Sequence, residues 1–260
     1  PIPPIKTLND RGKWAWDTRG HRDRVIRIDH DVLSTIHALA EDETVPVEET
    51  RFVQPYSRAM LDVFRLIASF DKLKYAVPTV EKIIATEKGD RKVQVNGWQI
   101  HRMWHETEDD KLRGNIRRET SFKILHDSIL QGPHFHVANP LYKTPRSRSR
   151  TNADYDVIDH ASIPEDYISR TNYGPAIDHQ TYKERLPACR WNANQKHSEF
   201  FRIAFRRAIN LNSERSLISA IIPPRVSHVD GIESLTFRDE EFIPMLAAVC
   251  ASIIIDFWVQ

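Results

Sequence analysis

Hydrophobic positions recur at helical spacing in the first part of the chain. Apolar residues three and four positions apart predict helices over residues 25–40 and 57–70, and a shorter helix over 80–85 that ends at Gly89. Asp29 and Asp31 support the start of the first helix, because acidic side chains stabilise the N-terminus of a helix. These elements predict a small helical lobe over residues 1–90.

The spacing of hydrophobic residues changes after this lobe. Apolar and polar residues alternate over 92–104, where Asn96 and Gly97 are typical of a hairpin turn. Further strands are predicted over 135–138, 155–158 and 215–222, and further helices over 198–208 and 242–258. The last helix is apolar around almost its whole circumference, so we expect it to be buried. The sequence therefore predicts an α+β fold, with the helical lobe followed by a mixed α/β domain over residues 91–260.

Composition places the chain among globular proteins. Of its 260 residues, 40% are hydrophobic and 28% are charged, and its two cysteines lie far apart. No run reaches the roughly 18 apolar residues of a membrane span, and no secretory signal is visible. We therefore expect a cytoplasmic protein. The first residue is not Met and the last residues, 253–260, are mostly apolar, which favours a fragment of a larger protein.

The net charge of +1 hides a strongly basic segment. Residues 111–153 contain nine basic and only two acidic side chains, and residues 143–150 contain no acid at all. Arginine forks and hydroxyl groups are frequent contacts of DNA phosphates, and arginine also recognises guanine edges. The segment therefore favours a nucleic-acid partner, although a solvated basic loop has the same composition.

The sequence contains no complete catalytic motif. His101 and His105 are spaced like two zinc ligands on a helix, but the pattern around them indicates a strand. His134 and His136 would need a third ligand, for which His126 is the only close candidate, so we favour structural roles for both pairs and predict neither a catalytic nor a metal-binding residue. Glycine-rich phosphate or dinucleotide loops and hydrolase signatures are also missing.

Four stretches resemble one family of proteins. They are Met-Trp-His-Glu-Thr at 103–107, Gly-Asn-Ile-Arg-Arg-Glu-Thr at 114–120, Gly-Pro-His-Phe-His-Val with Asn-Pro-Leu-Tyr-Lys-Thr-Pro-Arg over 132–146, and Glu-Arg-Ser-Leu-Ile-Ser-Ala-Ile-Ile-Pro-Pro at 214–224. They resemble the region downstream of the catalytic domain in large bacterial DNA adenine methyltransferases. Those enzymes belong to restriction-modification and phage-defence systems of the fused type II, BREX and DISARM kinds. The resemblance covers residues 100–260 and, more faintly, the helical lobe.

The resemblance implies a target-recognition domain that binds double-stranded DNA. It implies that S-adenosylmethionine and the catalytic motif belong to an upstream methyltransferase domain of the same protein, so no cofactor is expected in this chain. Asn-Pro-Leu-Tyr at 139–142 resembles the Asn-Pro-Pro-Tyr motif that holds a flipped adenine, but it departs at Leu141 and follows no glycine loop. The expected DNA-binding residues are Arg117, Arg118, Lys143, Thr144, Arg146, Arg148 and Arg150.

Two alternatives belong to other functional classes. A metal-dependent nuclease would use His134, His136 and nearby acids. A docking module would use the apolar helix over 242–258 to pack on the rest of a larger protein, which is compatible with DNA recognition.

Overall fold

A computed structural model describes most of the chain. The described residues are 6–8, 14–16, 22, 25–87, 89–119, 128–135, 141, 143–147, 149–151, 153–208 and 215–259. Contacts divide the chain into two compact units, Pro1–Ala76 and Val77–Gln260. This division lies before residue 90, where the sequence pattern separates the helical lobe from the mixed domain.

The first unit contains the two long helices that the sequence predicts. Its elements are β1 (Lys6–Leu8), β2 (Trp14–Trp16), α1 (His30–Ala40), α2 (Arg58–Ala68) and the short α3 (Leu73–Ala76). The Asp29 carboxylate accepts a hydrogen bond from the backbone N–H of Val32 at the start of α1, and the Ser57 hydroxyl accepts one from Met60 at the start of α2. Both helices are confirmed, and both begin at a side-chain cap.

The second unit contains most of the strands. They are β3 (Thr79–Thr86), β4 (Gly89–Asn96), β5 (Trp98–His101), β6 (Ile116–Arg118), β7 (Ile129–Leu130), β8 (Lys143–Pro145), β9 (Tyr155–Val157), β10 (Tyr173–Pro175), β11 (Arg202–Arg206), β12 (Ser219–Ile222), β13 (Ser227–His228) and β14 (Ile232–Phe237). Its helices are α4 (His179–Arg185), α5 (Phe242–Ala251) and α6 (Ile253–Val259). The mixture of helices and antiparallel sheets confirms the predicted α+β class.

The helix predicted over 80–85 is wrong, because these residues belong to a β-hairpin. Strand β3 pairs antiparallel with β4 along its whole length, from Thr79 opposite Asn96 to Thr86 opposite Gly89. Gly89 has a φ of 108°, a conformation that favours glycine, directly after the hairpin turn. The β-branched residues of the segment suit a strand better than a helix, and their spacing alone did not distinguish the two.

The hairpin predicted at Asn96 and Gly97 is also wrong. Strand β4 pairs with β3, whereas β5 pairs antiparallel with β14, so the two strands around Gly97 belong to different sheets. A Cβ atom at Gly97 would lie 2.5 Å from the carbonyl oxygen of Pro78. Glycine is therefore needed here for a close approach of two backbones rather than for a hairpin turn.

A four-stranded antiparallel sheet forms the centre of the second unit, in the order β12-β11-β14-β5. The helix predicted over 198–208 is wrong, because residues 202–206 form β11 between β12 and β14. Ile203 and Ala204 are fully buried in this central strand, so its apolar pattern does not alternate and was mistaken for a helix. The strand predicted over 215–222 is confirmed over its second half, β12, and Pro223 follows its last residue.

The terminal helix predicted over 242–258 is interrupted at Ser252, which separates α5 from α6. One face of α5 packs on the central sheet through Ile243, near Phe237. The expectation that this helix is buried all round is wrong, because Met245, Val249 and Ile253 are exposed to solvent. The helix pair thus presents an apolar face to solvent.

Each of three small sheets contains one strand from the basic segment over residues 111–153. Strand β6 pairs antiparallel with β10, β8 pairs antiparallel with β9, and β7 pairs parallel with β13. The strand predicted over 155–158 is confirmed as β9, whereas most of the strand predicted over 135–138 lies outside the described residues. Within the described part of the chain, no helix is long and apolar enough to span a membrane.

Candidate nucleic-acid interface

The arginine-rich segment forms the tip of a β-hairpin. Strands β8 and β9 pair from Lys143 opposite Val157 to Pro145 opposite Tyr155, and the loop between them contains the arginines. Arg146 and Arg150 are exposed at this tip. Arg148 lies outside the described residues, so the structure gives no position for it.

The loop is held by an acidic residue at its base. The Asp154 carboxylate accepts hydrogen bonds of 2.9 Å from the backbone N–H groups of Arg150 and Thr151. These two donors lower the pKa of Asp154, which stays ionised near neutral pH. The backbone N–H of Arg146 also donates to the Asp154 carbonyl oxygen. Backbone hydrogen bonds therefore hold the described residues at both ends of the tip.

A second acid, Asp156 on β9, binds two arginines of this hairpin region. Its carboxylate lies 2.7 Å from Nε of Arg146 and 3.0 Å from Nη2 of Arg170. The Arg146 contact lowers the pKa of Asp156 and raises that of Arg146. The Arg146 side chain thus remains 58% exposed while its Nε contacts a protein carboxylate.

Arg118 links β6 to the hairpin tip. Its Nη2 donates a 2.8 Å hydrogen bond to the carbonyl oxygen of Ser149, between Arg146 and Arg150. Arg117 is its neighbour on the strand and points to the opposite face, where it lies 2.5 Å from the Glu119 carboxylate. The structure therefore brings Arg118, Arg146 and Arg150 together and leaves Arg117 on another face.

The two remaining expected DNA contacts on β8 differ in exposure. Thr144 is buried, and its hydroxyl oxygen accepts a 3.0 Å hydrogen bond from the backbone N–H of Arg170. The Thr144 hydroxyl therefore contacts the backbone of another segment of the protein. Lys143 is half-buried beside it.

A buried polar network lies beneath the tip. The Tyr155 hydroxyl accepts hydrogen bonds from the side-chain amides of Gln131 and Asn172, the second at 2.8 Å. Burial raises the pKa of Tyr155 to about 12, so it stays a neutral phenol. The Asn172 amide also reaches the Ser149 hydroxyl at 3.5 Å. These contacts connect the loop to the core, because buried polar groups are costly unless they are satisfied.

His134 is a buried, neutral member of the same region. Its Nε2 lies 3.0 Å from the Arg170 carbonyl oxygen. Its Nδ1 lies 3.2 Å from both the backbone nitrogen and the carbonyl oxygen of Gln131. Burial lowers the pKa of His134. Backbone groups thus engage both ring nitrogens, which leaves neither one available to a metal; His136 lies outside the described residues.

An open cleft of about 470 Å³ lies near Arg118, with His105, Glu106, Arg207 and Asp230 among its lining residues. Partial loss of hydration raises the pKa of Glu106, while the positive charge of Arg118 lowers it. The Arg207 guanidinium lies 2.7 Å from the Asp230 carboxylate. The cleft therefore holds charges of both signs next to the basic tip.

The histidine pair at 101 and 105 is separated by the end of β5. His101 packs edge-on against His197, with ring centroids 4.7 Å apart. The Nδ1 atom of His105 accepts hydrogen bonds from the backbone N–H groups of Thr107 and Glu108. Trp104 between them is buried, and its Nε1 donates a 2.9 Å hydrogen bond to the Tyr182 hydroxyl. Among the described residues, no group of three histidine, cysteine or acidic side chains is arranged to hold a metal ion.

The residues present do not fit S-adenosylmethionine. The eight glycines occur one at a time along the sequence, without the glycine-rich loop that approaches a bound cofactor. Leu141, at the centre of the Asn-Pro-Leu-Tyr motif, has a φ of 60° and packs beside a core cluster; the other residues of that motif lie outside the described part. No step of a methyl transfer is assigned to this chain.

Sequence reasoning missed the acids and the arginine that organise the hairpin. Asp154 and Asp156 lie just after the basic segment over residues 111–153, so the excess of positive charge in that segment did not include them. Arg170 is distant in sequence from the loop, yet its Nε donates to the Pro145 carbonyl oxygen at 2.9 Å. Asp156 lies opposite Thr144 in the hairpin, so its contact with Arg146 is a diagonal one that depends on the register of the two strands.

Comparison with known proteins gives no further constraint. No protein family, no curated protein and no solved structure matches this chain.

Proposed function

We propose that this chain is the target-recognition module of a DNA adenine methyltransferase from a restriction or phage-defence system. It binds double-stranded DNA, and an upstream methyltransferase domain of the same protein supplies S-adenosylmethionine and the catalytic motif. The observation that carries the proposal is the cluster of Arg118, Arg146 and Arg150 around one hydrogen-bonded hairpin tip.

The geometry of the tip supports phosphate binding. A two-stranded ribbon is narrow enough to enter the major groove of DNA, and exposed arginines on its tip reach phosphates or base edges. Arg118 and Asp154 fix the loop before any partner binds, so little conformational entropy is lost on binding. Asp156 holds one edge of Arg146 and leaves the remaining donors of its guanidinium for DNA.

A set of alanine variants tests the proposal. Replacing Arg146, Arg148 and Arg150 together should abolish binding to a DNA duplex at near-physiological salt, because the tip then loses its positive charges. The folded state should persist, since the described side chains among these three, Arg146 and Arg150, are solvent-exposed. Arg238→Ala is the matched control, because Arg238 is exposed after β14 and lies outside the hairpin. Unchanged affinity of the triple variant would refute the proposal.

The exposed apolar face of α5 and α6 supports a second role, docking on the upstream methyltransferase domain. Met245 and Ile253 are 60% and 78% exposed, which is unusual for large apolar residues on one short helix pair. Lysine at Met245 and Val249 should reduce self-association of the chain, measured by light scattering, while DNA binding is retained. Unchanged self-association, or a chain that is already monodisperse, would count against this role.

A further inference from the structure

A cavity of about 500 Å³ lies away from the basic hairpin, between α4 and the turn that follows β12. Tyr182, Leu186 and Pro224 supply apolar surface to its wall, and Lys183 and Arg225 are among its polar residues. Its volume is within the range of small-molecule sites, which combine apolar walls with a few polar groups.

Arg225 stands in an unusual backbone conformation at this cavity. Its φ is 73°, in the left-handed region that residues with a Cβ atom rarely adopt. The backbone N–H of Arg225 donates a 2.6 Å hydrogen bond to the carbonyl oxygen of Ser198, which also lines the cavity. Strained conformations persist where the surrounding structure fixes them, and they cluster at functional sites.

A second arginine fixes the same turn from inside the protein. The Arg202 side chain is fully buried and donates hydrogen bonds to the carbonyl oxygens of Pro223 and Val226, on either side of Arg225. No carboxylate pairs with it among the described residues, and burial lowers its pKa to about 9. The fold therefore holds the Arg225 turn with a buried charge, which is costly to desolvate.

Arg225 is the exposed arginine among the residues that line the cavity. Lys183 lies 2.7 Å from the Glu199 carboxylate, so these two charges largely cancel. The Arg225 guanidinium makes no hydrogen bond or ion pair with any other described residue. An arginine fork of this kind matches the oxygens of a phosphate and binds them with two parallel hydrogen bonds.

We propose that this cavity binds a phosphate monoester that carries a flat apolar body, such as a nucleoside monophosphate, with the phosphate on Arg225 and the ring against Tyr182, Leu186 and Pro224. The same chemistry occurs in a free nucleotide and at the 5′-phosphorylated end of a DNA strand. The proposal stands on the cavity and the Arg225 turn, so it does not depend on duplex recognition by the hairpin.

Calorimetric titration of the whole chain tests the proposal with three probes: adenosine monophosphate, adenosine and inorganic phosphate. The monophosphate should bind saturably, and each of the other two at least about tenfold more weakly, because each offers only half of the contacts. A single-stranded oligonucleotide with a 5′-phosphate is the further probe. If it binds more tightly than the monophosphate, and if this binding also depends on Arg225, the natural ligand is the phosphorylated end of a DNA strand. No saturable binding of either phosphate ester would overturn the proposal.

Two substitutions of Arg225 separate binding from folding. Arg225→Ala should lose at least about tenfold in affinity for the monophosphate, whereas the control Arg238→Ala should bind normally. Arg225→Gly should equal or exceed the melting temperature of the unmodified chain, since glycine suits the positive φ, and should still lose binding. Normal binding by the glycine variant would overturn the assignment of the phosphate to Arg225.

Discussion

Arg117 and Arg118 are adjacent in the sequence and identical in chemistry, but the strand separates their side chains. Arg118 donates to the Ser149 carbonyl oxygen at the hairpin tip, whereas Arg117 pairs with Glu119 on the other face of β6. Proximity along the chain is therefore a poor guide to a shared surface, because side chains alternate across a strand. The two arginines form a matched pair for experiments.

We predict that Arg118→Ala weakens DNA binding by about five- to tenfold, near 1–1.4 kcal/mol, and lowers the salt slope by about 1. The variant removes one positive charge and one bond that orders the tip. Arg117→Ala is the control and should change affinity by less than about twofold, since its side chain lies on the face of β6 opposite to Arg118 and the hairpin tip. Fluorescence anisotropy with a labelled duplex measures both. Equal losses in the two variants would contradict the placement of the interface.

Several site residues were predictable from composition and others were not. The cluster of arginines and hydroxyl residues at 143–150 indicated an exposed basic loop, and the structure does expose Arg146 and Arg150. The burial of Thr144 was not predictable, because it depends on the backbone N–H of Arg170, which is distant in sequence. Local composition reports charge, whereas burial is decided by tertiary contacts.

At the scale of elements, the spacing of apolar residues identified the two long helices of the first unit, whereas the hairpin signal at Asn96 and Gly97 was wrong. Asp29 and Ser57 cap the two long helices of the first unit through local side-chain bonds, which sequence alone specifies. Strand β11 was mistaken for a helix because both of its partners, β12 and β14, come from further along the chain. Strand β3 pairs with its neighbour β4, and it was mistaken for a helix because the spacing of its apolar residues also suits one. A central strand that is buried on both faces loses the alternation that identifies a strand.

Gly89 begins β4 and Gly97 follows it, and glycine is needed at the two positions for different reasons. We therefore predict different losses of stability when each is substituted. Gly97→Ala should destabilise the protein by about 1–3 kcal/mol, because the new Cβ would meet the Pro78 carbonyl oxygen at 2.5 Å. Gly89→Ala should cost about 1–2 kcal/mol, because open space surrounds Gly89 and only its φ of 108° opposes a side chain. Urea unfolding followed by circular dichroism compares the two. A clearly larger loss for Gly89→Ala would contradict the close approach at Gly97.

At the scale of the whole molecule, three buried histidines link the fold to pH. His197 and His228 share the Ser234 hydroxyl, at 3.0 and 2.8 Å from their Nε2 atoms, and His134 lies beneath the hairpin. Burial lowers the pKa of His197 to about 2 and that of His228 to about 3, and it also lowers the pKa of His134. All three are therefore neutral in the folded protein near pH 7.

We predict that the protein loses stability as the pH falls below about 6.5, the pKa of an unfolded histidine. The unfolded chain then binds protons that the folded chain does not. Each histidine therefore lowers the free energy of unfolding by about 1 kcal/mol per pH unit, until the pH reaches the pKa of that histidine in the folded protein. The stabilisation is fully present above pH 6.5 and decreases down to about pH 3. Melting temperatures between pH 8 and pH 5 measure the effect, with His228→Gln as the variant that should reduce the slope. A melting temperature constant over this range would contradict the buried, neutral state.

The overall balance of charge conceals the feature on which the proposed function rests. The net charge is only +1, whereas Arg118, Arg146 and Arg150 meet at one tip. Electrostatic attraction to DNA depends on such local charge rather than on the total, because phosphates are contacted one at a time. Arg225 is a different case, because it lines a cavity with partly apolar walls and does not belong to the basic hairpin.

Binding of this chain to a mixed-sequence DNA duplex of about 30 base pairs, measured by anisotropy across a salt series, tests the central claim most directly. If the tip contacts three to five phosphates, the logarithm of affinity should fall against the logarithm of salt with a slope of about −2.7 to −4.5. This corresponds to a loss of about 40- to 500-fold between 50 and 200 mM salt. Failure to bind even at the lowest salt would contradict DNA recognition and leave the basic hairpin as a solvated loop.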